Sequence, residues 1–79
     1  PENPSIAVTL NGLAGLLRER GQYAEAEPLY RRALALREAA LGVAHPDVAE
    51  TRRDFGELLR RVVRVGEARR IEARVAAAR

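Results

Sequence analysis

Cysteine is absent from this 79-residue chain, which excludes a disulfide framework and any thiolate metal site. Lysine is absent as well, and all 14 basic residues are arginine. Together with abundant alanine, glycine and valine, that usage reads as a GC-rich bacterial coding sequence before it reads as selection for a partner. No apolar run of about 18 residues occurs, so nothing in the sequence spans a bilayer as a helix. No cleavable signal segment opens the chain, so the expected location is cytoplasmic, and a first residue of proline suggests an excised piece or a trimmed terminus. Aromatics make up only 4% of the residues. Phe55 alone falls among the arginines between Arg52 and Arg74, too little for a base-stacking platform, so nucleic acid is not the expected partner despite a pI near 10.5.

What is present is an internal repeat with an offset of 42 residues. Asn3-Pro4-Ser5-Ile6-Ala7 returns as His45-Pro46-Asp47-Val48-Ala49, Leu16-Leu17-Arg18 as Leu58-Leu59-Arg60, and Glu25-Ala26 as Glu67-Ala68. Repetition at this period marks a helical array in which each unit buries its apolar face against the next, and about three units are usually wanted for stability. At this length only roughly 60% of the unfolded chain's surface is buried on folding.

Four helices and no strands are expected. Asn3 and Pro4 suit the N-cap and first position of the first helix, whose inward face is predicted as Ile6, Leu10, Leu13 and Leu17. Gly21 ends it with a left-handed C-cap. The second helix runs from about Tyr23 to Leu41 with Ala26, Leu29, Tyr30, Ala33, Leu34 and Leu41 inward, and Pro28 near its first turn costs one backbone bond at most. Gly42 closes it, and Pro46 restarts the pattern with His45 in the capping place. The third helix carries Val48, Phe55, Leu58, Leu59 and Val62. A break is predicted near Gly66, followed by a last helix with Ala68, Ile71 and Val75 inward. The short connections inside the repeats imply antiparallel hairpins.

The run Leu10-Asn11-Gly12-Leu13-Ala14-Gly15-Leu16-Leu17, followed by Gly21-Gln22-Tyr23-Ala24-Glu25-Ala26-Glu27-Pro28-Leu29-Tyr30 and Arg31-Arg32-Ala33-Leu34, resembles a tetratricopeptide repeat. The linker Leu41-Gly42-Val43-Ala44-His45-Pro46-Asp47-Val48-Ala49 is similar to that of the 42-residue variety found in kinesin light chains and in many bacterial regulatory proteins. The resemblance implies an all-α fold of two antiparallel hairpins stacked as a short right-handed α-solenoid. Residues 1–44 would form the first repeat and 45–79 a degenerate second one. In the second repeat Arg52 replaces Leu10, Arg53 replaces Asn11 and Glu72 replaces Tyr30, as in a terminal unit with a polar outer face, so it is read as a C-terminal cap.

The same resemblance implies a non-catalytic module that binds a peptide or a segment of a partner protein in a concave groove. Its lining would be Val8, Asn11, Gly15, Arg18 and Glu19 from the first repeat, and Glu50, Arg53, Glu57, Arg60 and Arg61 from the second. Helix spacing independently puts Asn11, Gly15 and Arg18 on one face, and Arg53, Glu57 and Arg60 on another. Asn11 can donate to and accept from a peptide backbone, Gly15 would leave room for close approach, and the arginines could grip acidic side chains or a terminal carboxylate. The plainer reading of Arg53, Glu57, Arg60 and Arg61 is a set of surface ion pairs.

No cofactor, metal or catalytic residue is expected. His45 lacks companion ligands and reads as a cap, Asp47 complements the helix dipole, Ser5 has no activating partner, and Asp54 and Glu57 read as solvated charges. The alternative to peptide binding is self-assembly through an exposed repeat face, which would make the chain a homo-oligomer.

Overall fold

The computed structural model describes residues 4–78. It contains three helices: α1 (Pro4–Glu19), α2 (Tyr23–Leu41) and α3 (Pro46–Ala78). The all-α, tetratricopeptide-like architecture expected from the sequence stands. Asn3, expected to cap α1, lies outside the described residues.

The α1–α2 turn is built by Gly21. Its backbone N–H donates to the Arg18 carbonyl at 3.0 Å, and the Gln22 N–H reaches back to the Leu17 carbonyl at 2.9 Å. This pair of bonds is the Schellman arrangement, and it needs a residue with positive φ between them; Gly21 has φ +77°. The linker after α2 turns on Gly42, at φ +86°. His45 then caps α3 as expected: its Nδ1 accepts the Asp47 N–H at 3.0 Å. The same ring nitrogen lies 3.9 Å from the Asp47 carboxylate.

α1 lies against α2, and α2 against the first half of α3. The fully buried apolar residues are Ala7, Ala14, Ala26, Tyr30, Ala33, Val48 and Leu58. The inward face of α1 is therefore Ala7, Leu10, Ala14 and Leu17, with Ala7 and Ala14 in place of the expected Ile6 and Leu13. Ile6 sits at the surface and Leu13 is 46% exposed. The reason is close approach: alanines at Ala7, Ala14, Ala26 and Ala33 let the α1 and α2 backbones come together, which turns Leu13 and Leu16 to the far side. Leu41, Leu59 and Val62, also expected inward, are exposed.

Tyr30 fills the centre. Its ring stacks on Phe55 at 5.9 Å between centroids, and the Arg31 guanidinium lies 5.2 Å over the same Phe55 ring. A second tie comes from Arg37, which is 8% exposed. Its Nη1 donates to the Asp47 carbonyl and to Thr51 Oγ1, each at 2.9 Å, joining the end of α2 to the start of α3.

The break predicted near Gly66 is not there. α3 continues for 33 residues, about 50 Å at 1.5 Å per residue, and gives the molecule its 57 Å long axis. The repeat offset explains this. Val63 occupies the place of Gly21, and a β-branched residue is strongly disfavoured in the left-handed conformation that the turn requires. Gly66 inside a helix costs only about 1 kcal/mol relative to alanine, and Glu57 bonds forward to Arg60 and Arg61 along the same helix. Ala68, Ile71 and Val75 are consequently exposed.

Candidate functional site

α1 and the first half of α3 flank α2 and present polar side chains toward one another. At the centre is Asp54. Its Oδ2 accepts from Asn11 Nδ2 at 3.1 Å, and its backbone carbonyl accepts from Arg18 Nη1 at 3.2 Å. Asp54 is thus no solvated charge but the half-buried anchor between two helices. Two turns further on, Arg61 bridges the helices again, 3.1 Å from Glu19, and pairs with Glu57 of its own helix at 3.2 Å. Glu57 also pairs with Arg60 at 3.1 Å and with Arg64 at 3.5 Å.

The electrostatics follow from this network. Hydrogen bonds from Arg60 and then Arg61 hold the Glu57 carboxyl below its ordinary value of 4.5, and Arg61 does the same for Glu19. Beneath them, burial pushes the Tyr30 phenol above its ordinary value of 10.0. The Tyr30 hydroxyl and Asn11 Oδ1 are both buried without a hydrogen-bond partner.

Of the residues expected to line the groove, the structure brings Asn11, Gly15, Arg18, Glu19, Glu57, Arg60 and Arg61 into one polar seam. The other three stand apart: Val8 is 60% exposed, and Glu50 and Arg53 are exposed with no hydrogen bond or ion pair among the described residues. Gly15 does not create a vacancy for a ligand. A Cβ added there would lie 3.6 Å from the Tyr30 hydroxyl, an ordinary contact with the chain's own side chain. Arg53 therefore escapes the ion-pair reading that fits Glu57, Arg60 and Arg61.

Sequence reasoning missed Asp54 and Arg37. An acidic residue one helical turn from Glu57 reads as solvated until the neighbouring helix puts Asn11 against it. Arg52 is explained by the linker: it pairs with Glu38 at 3.6 Å and donates to the Val43 carbonyl at 3.3 Å. A separate recess of about 590 Å³ opens where α3 runs past the α1–α2 turn, lined by Tyr23, Glu27, Val62, Val65 and Arg69 among others. It lies away from the polar seam and exists because α3 does not bend. Among the described residues no three of His, Asp and Glu gather to hold a metal ion, and no helix is long and apolar enough to cross a membrane.

Helices of this pairing, joined by a glycine turn and repeated at a 42-residue offset, match a known family model. That model is the tetratricopeptide repeat, and it covers residues 5–79. The chain belongs to the tetratricopeptide repeat family. Searches of curated proteins and of solved structures return no significant match. Tetratricopeptide repeats generally mediate protein–protein interactions and are typically non-catalytic.

Proposed function

We propose that this tetratricopeptide chain is a non-catalytic interaction module that takes up an acidic, extended or helical segment of a partner protein along the face shared by α1 and the first half of α3. The supporting observation is an imbalance of charge. Arg53, Arg60 and Arg64 project from one side of α3. Arg60 and Arg64 share the single carboxylate of Glu57, their side chains both 63% exposed, while Arg53 has no acidic partner among the described residues. A planar guanidinium offers paired donors to a carboxylate, so spare arginines on a rigid helix favour acidic ligands. In this reading Asn11, Gly15 and Arg18 frame the seam, Val8 supplies an apolar edge, and Glu57 and Arg61 set the spacing of the guanidinium groups.

Residues 1–44 are read as one repeat of the kinesin-light-chain-like variety, and 45–79 as a degenerate repeat that caps it. Arg52 and Glu72, polar where Leu10 and Tyr30 are apolar, support that division.

The test is a titration of a fluorescent glutamate- and aspartate-rich peptide, with a lysine-rich peptide as control. The acidic peptide should bind, weaken with added salt, and lose binding in Arg53→Glu while circular dichroism stays that of wild type. Equal affinity for both peptides, or an affinity unchanged by Arg53→Glu, overturns the proposal.

A further inference from the structure

α3 carries one exposed apolar face, Ala68, Ile71 and Val75, and one half-covered one, Ala49, Gly56 and Leu59, and the first repeat shows what each is shaped to meet. In the α1–α2 hairpin, Ala7, Ala14 and Leu17 of α1 receive Ala26, Leu29 and Ala33 of α2; both pairs of alanines at the contact are buried. Forty-two residues on, the receiving residues become Ala49, Gly56 and Leu59, and the donated ones Ala68, Ile71 and Val75. The small–small pattern that permits close helix approach is kept at Gly56 and Ala68, while Val75 replaces Ala33. Yet Leu59 is 43% exposed, Ile71 60% and Val75 49%. A Cβ added to Gly56 would meet only the Arg60 guanidinium, at 3.6 Å.

Donor and receiver lie on one unbroken helix, so a chain cannot cover its own face without a turn. The turn of the first hairpin centres on Gly21, and its counterpart is Val63, where a positive φ is disfavoured by about 1–2 kcal/mol. A second chain meets no such obstacle. We infer that two copies of this chain associate by exchanging their C-terminal helical halves, residues 67–78 of each packing antiparallel on Ala49, Gly56 and Leu59 of the other.

The arrangement is two-fold and closed, because each copy gives one donor face and one receiver face. The axis passes close to Val63, itself 55% exposed, where the two α3 helices cross. A stable interface needs roughly 1,200 Å², which the two equivalent seats of about three helical turns each would have to supply together. Glu72, standing where Tyr30 stands in the first repeat, stays on the outer side, so the exchange leaves the polar cap facing water. The receiver residues Ala49 and Gly56 border Arg53 and Arg60 on α3, so the exchange would compete with peptide uptake, but it does not rest on the peptide-binding reading and is tested without peptide.

The test is light scattering during gel filtration of the 79-residue chain over a concentration series, with Leu59→Arg and Ile71→Arg beside wild type. Wild type should reach twice the 8.7 kDa chain mass, and each variant should return to the single-chain mass with wild-type helicity. Wild type at the single-chain mass throughout, or variants that stay dimeric, overturns the inference. A second measurement needs no destabilising change. Because the chain has no cysteine, Val63→Cys can form a disulfide only between copies. It should cross-link much faster than Ala39→Cys on the exposed back of α2, and equal rates overturn the exchange.

Discussion

Removing the Tyr30 hydroxyl should stabilise this protein, the reverse of the usual effect of trimming a buried side chain. The ring is fully buried and stacked on Phe55, but its hydroxyl finds no hydrogen-bond partner. A buried hydroxyl without a partner has lost its water and gained nothing in exchange, at a cost of about 1–3 kcal/mol. Tyr30→Phe keeps the stacking and the volume of the ring while relieving that cost, so a gain of about 1 kcal/mol is expected. Tyr30→Ala removes the ring as well and should cost about 3–5 kcal/mol. A chain of this length commonly has on the order of 4–12 kcal/mol in total, so the alanine variant should lose about a quarter of it or more, and all of it at the low end of that range. The assay is urea denaturation followed by circular dichroism. With a slope of about 1 kcal/mol per molar urea, Tyr30→Phe should raise the midpoint by about 1 M, and it should raise Tm by about 4–8 °C. A lower midpoint for Tyr30→Phe would show that the hydroxyl makes a bond, and would refute the argument.

Three further outcomes are expected. Leu58→Ala should cost about 2–5 kcal/mol because Leu58 is fully buried, whereas Leu13→Ala should cost under about 1 kcal/mol because nearly half of Leu13 is already in water; equal losses in thermal melts would contradict the packing of α1. Gly66→Ala should raise helicity and stability by about 0.5–1 kcal/mol if α3 is continuous through residue 66, and a loss would reveal a turn there. Glu19 and Glu57 titrate below their ordinary 4.5 when folded, so their contribution to stability is present above about pH 4.5 and vanishes as pH falls through the lowered values. Tm of wild type should therefore drop more steeply with acidification than that of Glu57→Gln, and parallel pH profiles would remove the ion network from the account.

How much of the site was legible followed from how local each piece was. The capping by His45 and the turn at Gly21 depend on residues within one or two helical turns, and both were readable from residue type and spacing. The face shared by Asn11, Gly15 and Arg18 was readable too, because helix periodicity assigns faces. What those side chains do there was not. Asn11 spends its amide donor on Asp54, and Arg18 spends a donor on the Asp54 carbonyl. Those partners lie 43 and 36 residues away, and no local pattern pairs them.

By itself the sequence determined the helical character of the chain, its 42-residue repeat, its family, and the glycine turns that set α1 against α2, since these rest on propensity, period and the φ that only glycine adopts freely. Tertiary structure decided the rest. It chose Ala7 and Ala14 over Ile6 and Leu13 for the interior, because two backbones in close contact reward small residues more than large apolar ones. It neutralised most of the charged seam in pairs while leaving Arg53 without a partner among the described residues. It also carried α3 straight through Val63, where repetition alone called for a turn and the missing glycine could not supply one.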